Sequence, residues 1–200
     1  MSASPTARLR AGGRVRIVGL GDSLTAGWCV RRGFFPRACD LLEARVPGLV
    51  LERVDAGIPG DTARGGLARL PALLQPTPGL VLVQFGLNDC VEGGPLDAFR
   101  RDLSRIAVAV AAAGAACVLL TSCPVQDPWL ARAAAPWYDA VRAVGAELGL
   151  LVAELALAWC AGEPGAEALW QADGVHPSDA GHARMAAALV EHLLAETDGP

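Results

Sequence analysis

Four short segments of this 200-residue chain combine the residue types that nucleophilic acyl transfer requires. Such a reaction needs a hydroxyl or thiol nucleophile, a neutral base beside it and an acceptor that orients the base. It also needs hydrogen-bond donors for the negative oxygen of the tetrahedral intermediate. In chain order the segments are GDSL at 21–24, DAGIPGDT at 55–62, GLND at 86–89 and DGVH at 173–176.

Each role in this chemistry has a candidate residue. Ser23 is the candidate nucleophile. His176 is the candidate base, because of the three histidines it is the one in a turn beside a proline. Asp173, three residues earlier, can reach the other ring nitrogen if the segment makes a compact turn. The Ser23 N–H, the Gly60 N–H and the Asn88 side-chain amide are suitable oxyanion donors.

Taken singly, each residue also has a structural interpretation. A serine at a strand-to-helix turn is typical of a helix N-cap, and glycines such as Gly57 and Gly60 supply turn conformations. Asn88 and Asp89 can cap or turn the backbone, Asp173 can form an Asx turn and His176 can lie at the surface. The complete set favours catalysis, and Ser23 can serve both as a cap and as a nucleophile.

The elements that must position these residues alternate between apolar strands and helices, a pattern typical of βαβ units with a parallel sheet. In such a sheet ligands bind beyond the carboxyl ends of the strands, and three of the four segments directly follow a predicted strand. The predicted strands are Val15–Leu20, Val50–Val54, Leu80–Phe85, Cys117–Ser122 and Leu150–Glu154. The predicted helices are Phe34–Arg45, Thr62–Leu74, Leu96–Ala113, Trp137–Leu148 and Ser178–Ala195, with Gly114 and Gly149 at helix ends and Pro177 and Ser178 opening the last helix.

The composition predicts one domain over residues 1–200, with flexible segments at 1–13 and 196–200. A net charge of -4 argues against nucleic acid as a partner. We expect no membrane span and a cytoplasmic location, since the first residues lack the apolar core of an export signal. The six cysteines are expected to be reduced and mostly buried, and the oligomeric state is left open.

These segments resemble, in order, the four sequence blocks of the SGNH (GDSL) hydrolases. The stretch GDTARGGLARLPALL at 60–74 is also similar to the bacterial thioesterase, lysophospholipase and arylesterase branch of that family. The resemblance implies a flavodoxin-like three-layer α/β/α sandwich with a five-stranded parallel sheet. It implies Ser23, His176 and Asp173 as the catalytic triad, an oxyanion hole of Ser23, Gly60 and Asn88, and no metal or cofactor.

One residue departs from the family pattern, because Asp55 stands where these hydrolases usually have Asn. A carboxylate near an oxyanion would oppose it, unless helix or loop N–H groups hold that carboxylate.

The expected activity is hydrolysis of small or acyl-chain carboxylic esters and thioesters through an acyl-serine. An acyltransferase with the same triad and a non-catalytic binding module of the same fold are the alternatives. Esters of short or medium chain, thioesters, lysophospholipids and O-acetylated sugars all remain open as substrates. The candidate substrate contacts are Cys90, Trp129 and Val175, with the loops at 90–95 and 124–136 and the tryptophans, Trp159 among them, as pocket walls. His182 and His192 are expected on the surface of the last helix.

Overall fold

Five parallel strands form one sheet in the computed structural model, which describes residues 4–158 and 166–195. Runs rich in Val, Leu and Ile suit a parallel sheet that is covered on both faces. All five predicted strands are confirmed. They are β1 (Gly13–Gly21), β2 (Leu49–Gly57), β3 (Leu80–Gln84), β4 (Ala116–Leu120) and β5 (Leu151–Ala153), and they pair in the order β2-β1-β3-β4-β5.

Eight α-helices lie in the described part of the chain, together with two 3₁₀-helices at Leu155–Ala158 and Ala166–Leu169. The five predicted helices are all present. The α-helices are α1 (Pro5–Arg10), α2 (Ser23–Ala26), α3 (Phe34–Arg45), α4 (Ala63–Leu73), α5 (Leu87–Val91), α6 (Leu96–Ala112), α7 (Pro128–Leu148) and α8 (Asp179–Leu194).

Successive strand residues pack into two separate hydrophobic clusters, as the alternation of side chains along a strand requires. In β1, Ile17 belongs to the cluster that α1, α3 and α8 cover, whereas Val18 belongs to the cluster under α4, α6 and α7. In β4, Val118 and Leu119 divide in the same way. The sheet is therefore the middle layer of the expected three-layer α/β/α sandwich.

Helix ends follow the predicted signals at several places. Gly149 ends α7 in the left-handed conformation, with a φ of 63°, and Gly114 follows α6 with a φ of 83°. Ser178 caps α8, since its hydroxyl accepts a hydrogen bond from the Gly181 N–H at 3.3 Å. These local signals were legible because each depends on one or two residues.

Two predictions about the helices are wrong. The segment at 1–13 was expected to be flexible, but residues 5–10 form α1 and Leu9 is fully buried. Helix α7 begins at Pro128 and not at Trp137, so most of the expected loop at 124–136 is helical. Asp127 caps that helix at Leu130 N–H, and Pro136 lies inside it without ending it. Residues 196–200 lie outside the described residues.

The two histidines of α8 were expected on its surface, and this prediction is wrong. His182 is buried, with 1% of its area exposed, and its Nδ1 accepts a hydrogen bond from the Phe34 N–H at 3.1 Å. Its ring stacks on the Phe34 ring. His192 is half-buried and accepts from the Glu154 N–H at 3.3 Å. Helix α8 therefore directs both rings towards the protein interior.

Most described cysteines are buried free thiols, as expected. Cys39, Cys117 and Cys123 are buried, Cys90 is half-buried and Cys29 is exposed. Burial raises the pKa of the Cys39 and Cys117 thiols to about 12. Cys160 and Trp159 lie outside the described residues.

Candidate active site

The carboxyl ends of three adjacent strands bring the first three segments to one edge of the sheet. Gly21 at the end of β1 pairs with Gly57 at the end of β2 and with Gln84 at the end of β3. Ser23, Gly60 and Asn88 follow these positions by two to four residues. The strand register alone therefore places the serine beside two of the candidate oxyanion donors.

Ser23 is the first residue of the short helix α2 and is nearly buried, with 9% of its area exposed. The preceding residue, Asp22, is the N-cap, because its Oδ1 accepts from the Leu24 N–H at 2.9 Å. The expectation that Ser23 itself caps the helix is therefore wrong. Its hydroxyl is left to other partners.

His176 connects Ser23 to Asp173. Its Nε2 lies 3.0 Å from the Ser23 Oγ, and its Nδ1 lies 2.7 Å from the Asp173 Oδ2. An ionised carboxylate can only accept, so Nδ1 carries the proton and Nε2 accepts from the serine hydroxyl. This tautomer is the one in which a histidine can take a proton from serine.

Asp173 is held in its ionised form. Desolvation acts to raise the pKa of its carboxyl, but hydrogen bonds from the His176 ring and from the His176 and Val175 N–H groups outweigh it, and the pKa is lowered. Both backbone donors reach Oδ1 at 2.9 Å. The Asx turn foreseen as a structural interpretation is thus present, and it orients the carboxylate towards the ring.

The loop that carries Asp173 and His176 is fastened on two sides. The Gln171 side chain donates to the Trp28 carbonyl at 2.9 Å, and so ties the loop to the turn after α2. On the other side the Gln126 N–H donates to the Gly174 carbonyl at 2.7 Å. These bonds hold the histidine against the serine.

Gly60 lies in a tight turn in which the Asp61 N–H donates to the Ile58 carbonyl at 3.0 Å. Its φ of 80° is unfavourable for other residues, although no atom lies within 4 Å of where a Cβ would stand. The turn therefore requires glycine for its backbone conformation. The Asn88 Nδ2 donates to the Asp61 carbonyl at 3.0 Å, which ties this turn to α5.

A buried polar network underneath the serine was not foreseen from the sequence. The Gln84 amide donates to the Asp22 Oδ2 at 3.2 Å and to the Ser122 Oγ at 3.0 Å, and it accepts from the Thr25 hydroxyl at 3.0 Å. Burial raises the pKa of Asp22 to about 7, although bonds from Leu24 and Gln84 oppose that rise. The available signal was one polar residue in the apolar run LVLVQF.

Two acidic residues near the site, Asp89 and Asp55, accept hydrogen bonds from backbone N–H groups. The Asp89 Oδ1 accepts from the Ala63 N–H at 3.1 Å, and burial raises the pKa of its carboxyl to about 6. Asp55, the departure from the family pattern, accepts from the Gly57 N–H at 3.1 Å. The N–H of the last β2 residue therefore binds the Asp55 carboxylate, while burial raises the pKa of that group.

The candidate substrate contacts fall into two groups. Cys90 and Val175 pack against a small apolar cluster that includes Leu87, the neighbour of Asn88. Trp129 is not part of that cluster and has 75% of its area exposed. The structure thus brings Cys90 and Val175 together beside the site and leaves Trp129 at the surface.

No three His, Cys, Asp or Glu side chains within 4–158 and 166–195 are grouped so that they could hold a metal ion. In the same ranges no helix combines the length and the apolar character needed to cross a membrane.

Comparison with known proteins gives consistent matches. A model of the GDSL-like lipase/acylhydrolase family matches residues 20–184. Esterase TesA of Pseudomonas aeruginosa is 35% identical over 173 residues, which cover 83% of this chain and 81% of that protein. Thioesterase 1/protease 1/lysophospholipase L1 of Escherichia coli is 38% identical over 109 residues, covering 50% of this chain and 48% of the relative.

A solved structure shows the same architecture. The crystal structure of the lipase/acylhydrolase from Enterococcus faecalis superimposes with a TM-score of 0.77 at 26% sequence identity. The superposition covers 90% of this chain and 95% of the other.

Proposed function

The chain belongs to the GDSL-like lipase/acylhydrolase family, and from that premise we propose that it hydrolyses carboxylic esters and thioesters through an acyl-serine on Ser23. The observation that carries the proposal is the continuous contact from Ser23 through His176 to Asp173, at 3.0 and 2.7 Å. A serine hydroxyl, a base of the correct tautomer and an ionised acceptor form a complete nucleophilic relay.

In the first step Ser23 Oγ attacks the substrate carbonyl carbon while His176 Nε2 takes the hydroxyl proton. The carbonyl oxygen becomes an oxyanion that accepts from the Ser23 N–H, the Gly60 N–H and the Asn88 amide. His176 then donates its proton to the leaving alcohol or thiol, and the acyl group stays on Ser23. Asp173 stabilises the imidazolium that exists between these two transfers.

In the second step water attacks the acyl-serine with His176 as base, and the acid leaves as Ser23 regains its proton.

Water is favoured as the acyl acceptor over an alcohol or amine. The named relatives are an esterase and a thioesterase, so hydrolysis is the activity that the family relationship supports, and an acyltransferase is the weaker alternative. Product analysis with a competing alcohol separates the two, since an acyltransferase would form a new ester in place of the free acid. A binding module without chemistry is disfavoured by the complete set of contacts around Ser23.

We assign an acyl chain as the part of the substrate that meets the apolar cluster beside the site. Leu87 and Val175 of that cluster directly precede Asn88 and His176 in the sequence, which supports this assignment. A chain-length series of p-nitrophenyl esters, run beside acyl-CoA and acetylated sugars, tests this assignment. Preference for acetylated sugars over every acyl-chain substrate would contradict it. The cytoplasmic location stays a prediction.

The test of the nucleophile compares two serine variants on p-nitrophenyl acetate. Ser23→Ala should lose nearly all turnover, whereas Ser104→Ala, which removes a hydroxyl that donates to the Arg100 carbonyl on α6, should retain it. A fluorophosphonate probe should label the wild-type protein on the peptide containing Ser23. Wild-type rates in folded Ser23→Ala, or a probe attached elsewhere, would refute the assignment.

A further inference from the structure

Arg69, on the inner side of α4, connects two backbone segments of the candidate active site. Its Nη2 donates to the Gly21 carbonyl at 3.0 Å, and its Nε donates to the Asp61 Oδ2 at 2.9 Å. The Nη2 atom also lies 2.8 Å from that carboxylate oxygen. One guanidinium therefore joins the end of β1 to the turn after β2.

These two contacts lie close in sequence to two of the proposed oxyanion donors. Gly21 precedes Ser23 by two residues, and Asp61 directly follows Gly60. The Gly21 carbonyl also accepts from the Ile58 N–H at 3.0 Å, so the turn from 58 to 61 is attached to β1 at both of its ends. The distance between the Ser23 and Gly60 N–H groups thus depends on this attachment.

Asp61 extends the connection to the third donor. Its carbonyl accepts from the Asn88 amide at 3.0 Å, while its Oδ1 accepts from the Thr62 N–H at 2.9 Å. Because Arg69 fixes the Asp61 carboxylate, it also fixes the residue to which the Asn88 side chain is bonded. All three proposed donors are therefore linked to one side chain.

We propose that Arg69 is a positioning residue that sets the spacing of the three oxyanion donors. The inference rests on the proposed function, since it takes these groups to be the donors. A guanidinium is a planar fork that reaches two acceptors at once, and a lysine ammonium in its place is a single point on a flexible stem. Catalytic donors lose much of their effect when they are misplaced by an ångström.

If Arg69 only stabilised the fold, its replacement would change stability and catalysis together, whereas a positioning residue should affect catalysis more than stability. The Arg69 and Asp61 side chains are 22% and 12% exposed, and the Arg16–Glu52 pair, which joins the middle of β1 to the middle of β2, contains an arginine with a similar 16% exposure. A lysine keeps the positive charge at both positions. Arg69→Lys should therefore alter stability no more than the matched control Arg16→Lys, while it should alter catalysis much more.

The experiment measures kcat/KM on p-nitrophenyl acetate, the Ki of phenylboronic acid and the thermal midpoint for wild type, Arg69→Lys and Arg16→Lys. Phenylboronic acid forms a tetrahedral adduct with an active-site serine and so reports on the oxyanion donors. We expect Arg69→Lys to lower kcat/KM by about tenfold to a hundredfold and to raise Ki by a similar factor. Arg16→Lys should leave both constants within twofold.

The inference is overturned if Arg69→Lys keeps wild-type kcat/KM and Ki, or if its kcat/KM falls while Ki is unchanged. Should that variant not fold, Asp61→Asn applies the same test from the other partner, and wild-type constants there overturn the inference equally. Failure of the proposed function gives a separate result, because wild-type protein would then neither turn over the ester nor bind the boronic acid.

Discussion

The buried histidine of α8 should make the stability of this protein fall steeply below neutral pH. His182 Nδ1 accepts from the Phe34 N–H, which belongs to the first turn of α3. Gly33, the N-cap of that helix, has no side chain with which to cap it. His182 therefore supplies from α8 the acceptor that the helix start lacks, and only a neutral ring can do so.

Protonation would reverse this interaction. A charged imidazole cannot accept at Nδ1, and it would place a positive charge at the positive end of the α3 dipole. Burial lowers the pKa of His182 from 6.5 to about 4, and the Arg37 charge lowers it further than Asp179 raises it. The folded protein thus binds this proton more weakly than the unfolded chain does, so stability is lost as pH falls from 6.5 towards 4.

The size of the loss follows from these two pKa values. A difference of about 2.5 corresponds to about 3 kcal/mol once the pH lies below both values. Between pH 7 and pH 5 the same relation gives a loss of about 2 kcal/mol. This loss would be a large fraction of the stability of an ordinary domain.

The assay is urea unfolding at pH 7 and pH 5, followed by tryptophan fluorescence, for wild type and His182→Asn. The asparagine carbonyl can still accept from the Phe34 N–H but does not titrate in this range. We expect the free energy of unfolding to fall by about 2 kcal/mol more in wild type than in the variant. Equal losses in the two proteins would refute the reasoning, because all other titrating groups cancel in the comparison.

Three further substitutions test other contacts. Asn88→Ala should lower kcat by about a hundredfold with little change in thermal midpoint, as expected for one lost oxyanion donor; a kcat within twofold of wild type would contradict that role. Asp173→Asn would donate to His176 Nδ1 and impose the wrong tautomer, so steady-state kinetics should show a fall of about ten-thousandfold; a fall of less than tenfold would exclude this explanation. Gly145→Ala would bring a Cβ within 2.2 Å of Val152 Cγ2, so it should lower the free energy of unfolding by about 1 to 3 kcal/mol and leave kcat unchanged. An unchanged melting temperature would show that α7 can move to relieve the clash.

The parts of the fold that the sequence predicts well are those with local signals. The strands can be predicted because their apolar runs are short and bounded by turn residues. Ser178 and Gly149 mark helix ends because a cap depends only on the residues at the helix terminus. Pro136 conceals the true length of α7 in the sequence, because a proline usually marks the start or the end of a helix. In the structure α7 continues through it.

In the candidate site, too, the residues with local sequence signals are the ones that the sequence predicts. Ser23, Gly60, Asn88 and the pair Asp173 and His176 stand in short segments whose residue types already suggest their chemistry.

Other features depend on partners far away in the chain. The Gln84–Asp22 contact spans 62 residues, the Arg69–Gly21 contact 48 and the His182–Phe34 contact 148. Nothing within a local window of sequence distinguishes such residues from ordinary strand or helix positions. They become visible only when the packing of the elements is known.

The hydrogen bond between Ser23 and His176 joins residues 153 positions apart. Because this bond forms only when distant parts of the chain have folded together, the rate of ester hydrolysis reports the fraction of folded molecules. Under the proposed roles, a growing or refolding chain carries an inert serine until the 171–176 loop has docked against the turn after α2. Only molecules in which this loop is packed against the turn after α2 would then hydrolyse esters. Recovery of activity during refolding should therefore trail every spectroscopic signal that the first three strands alone can produce.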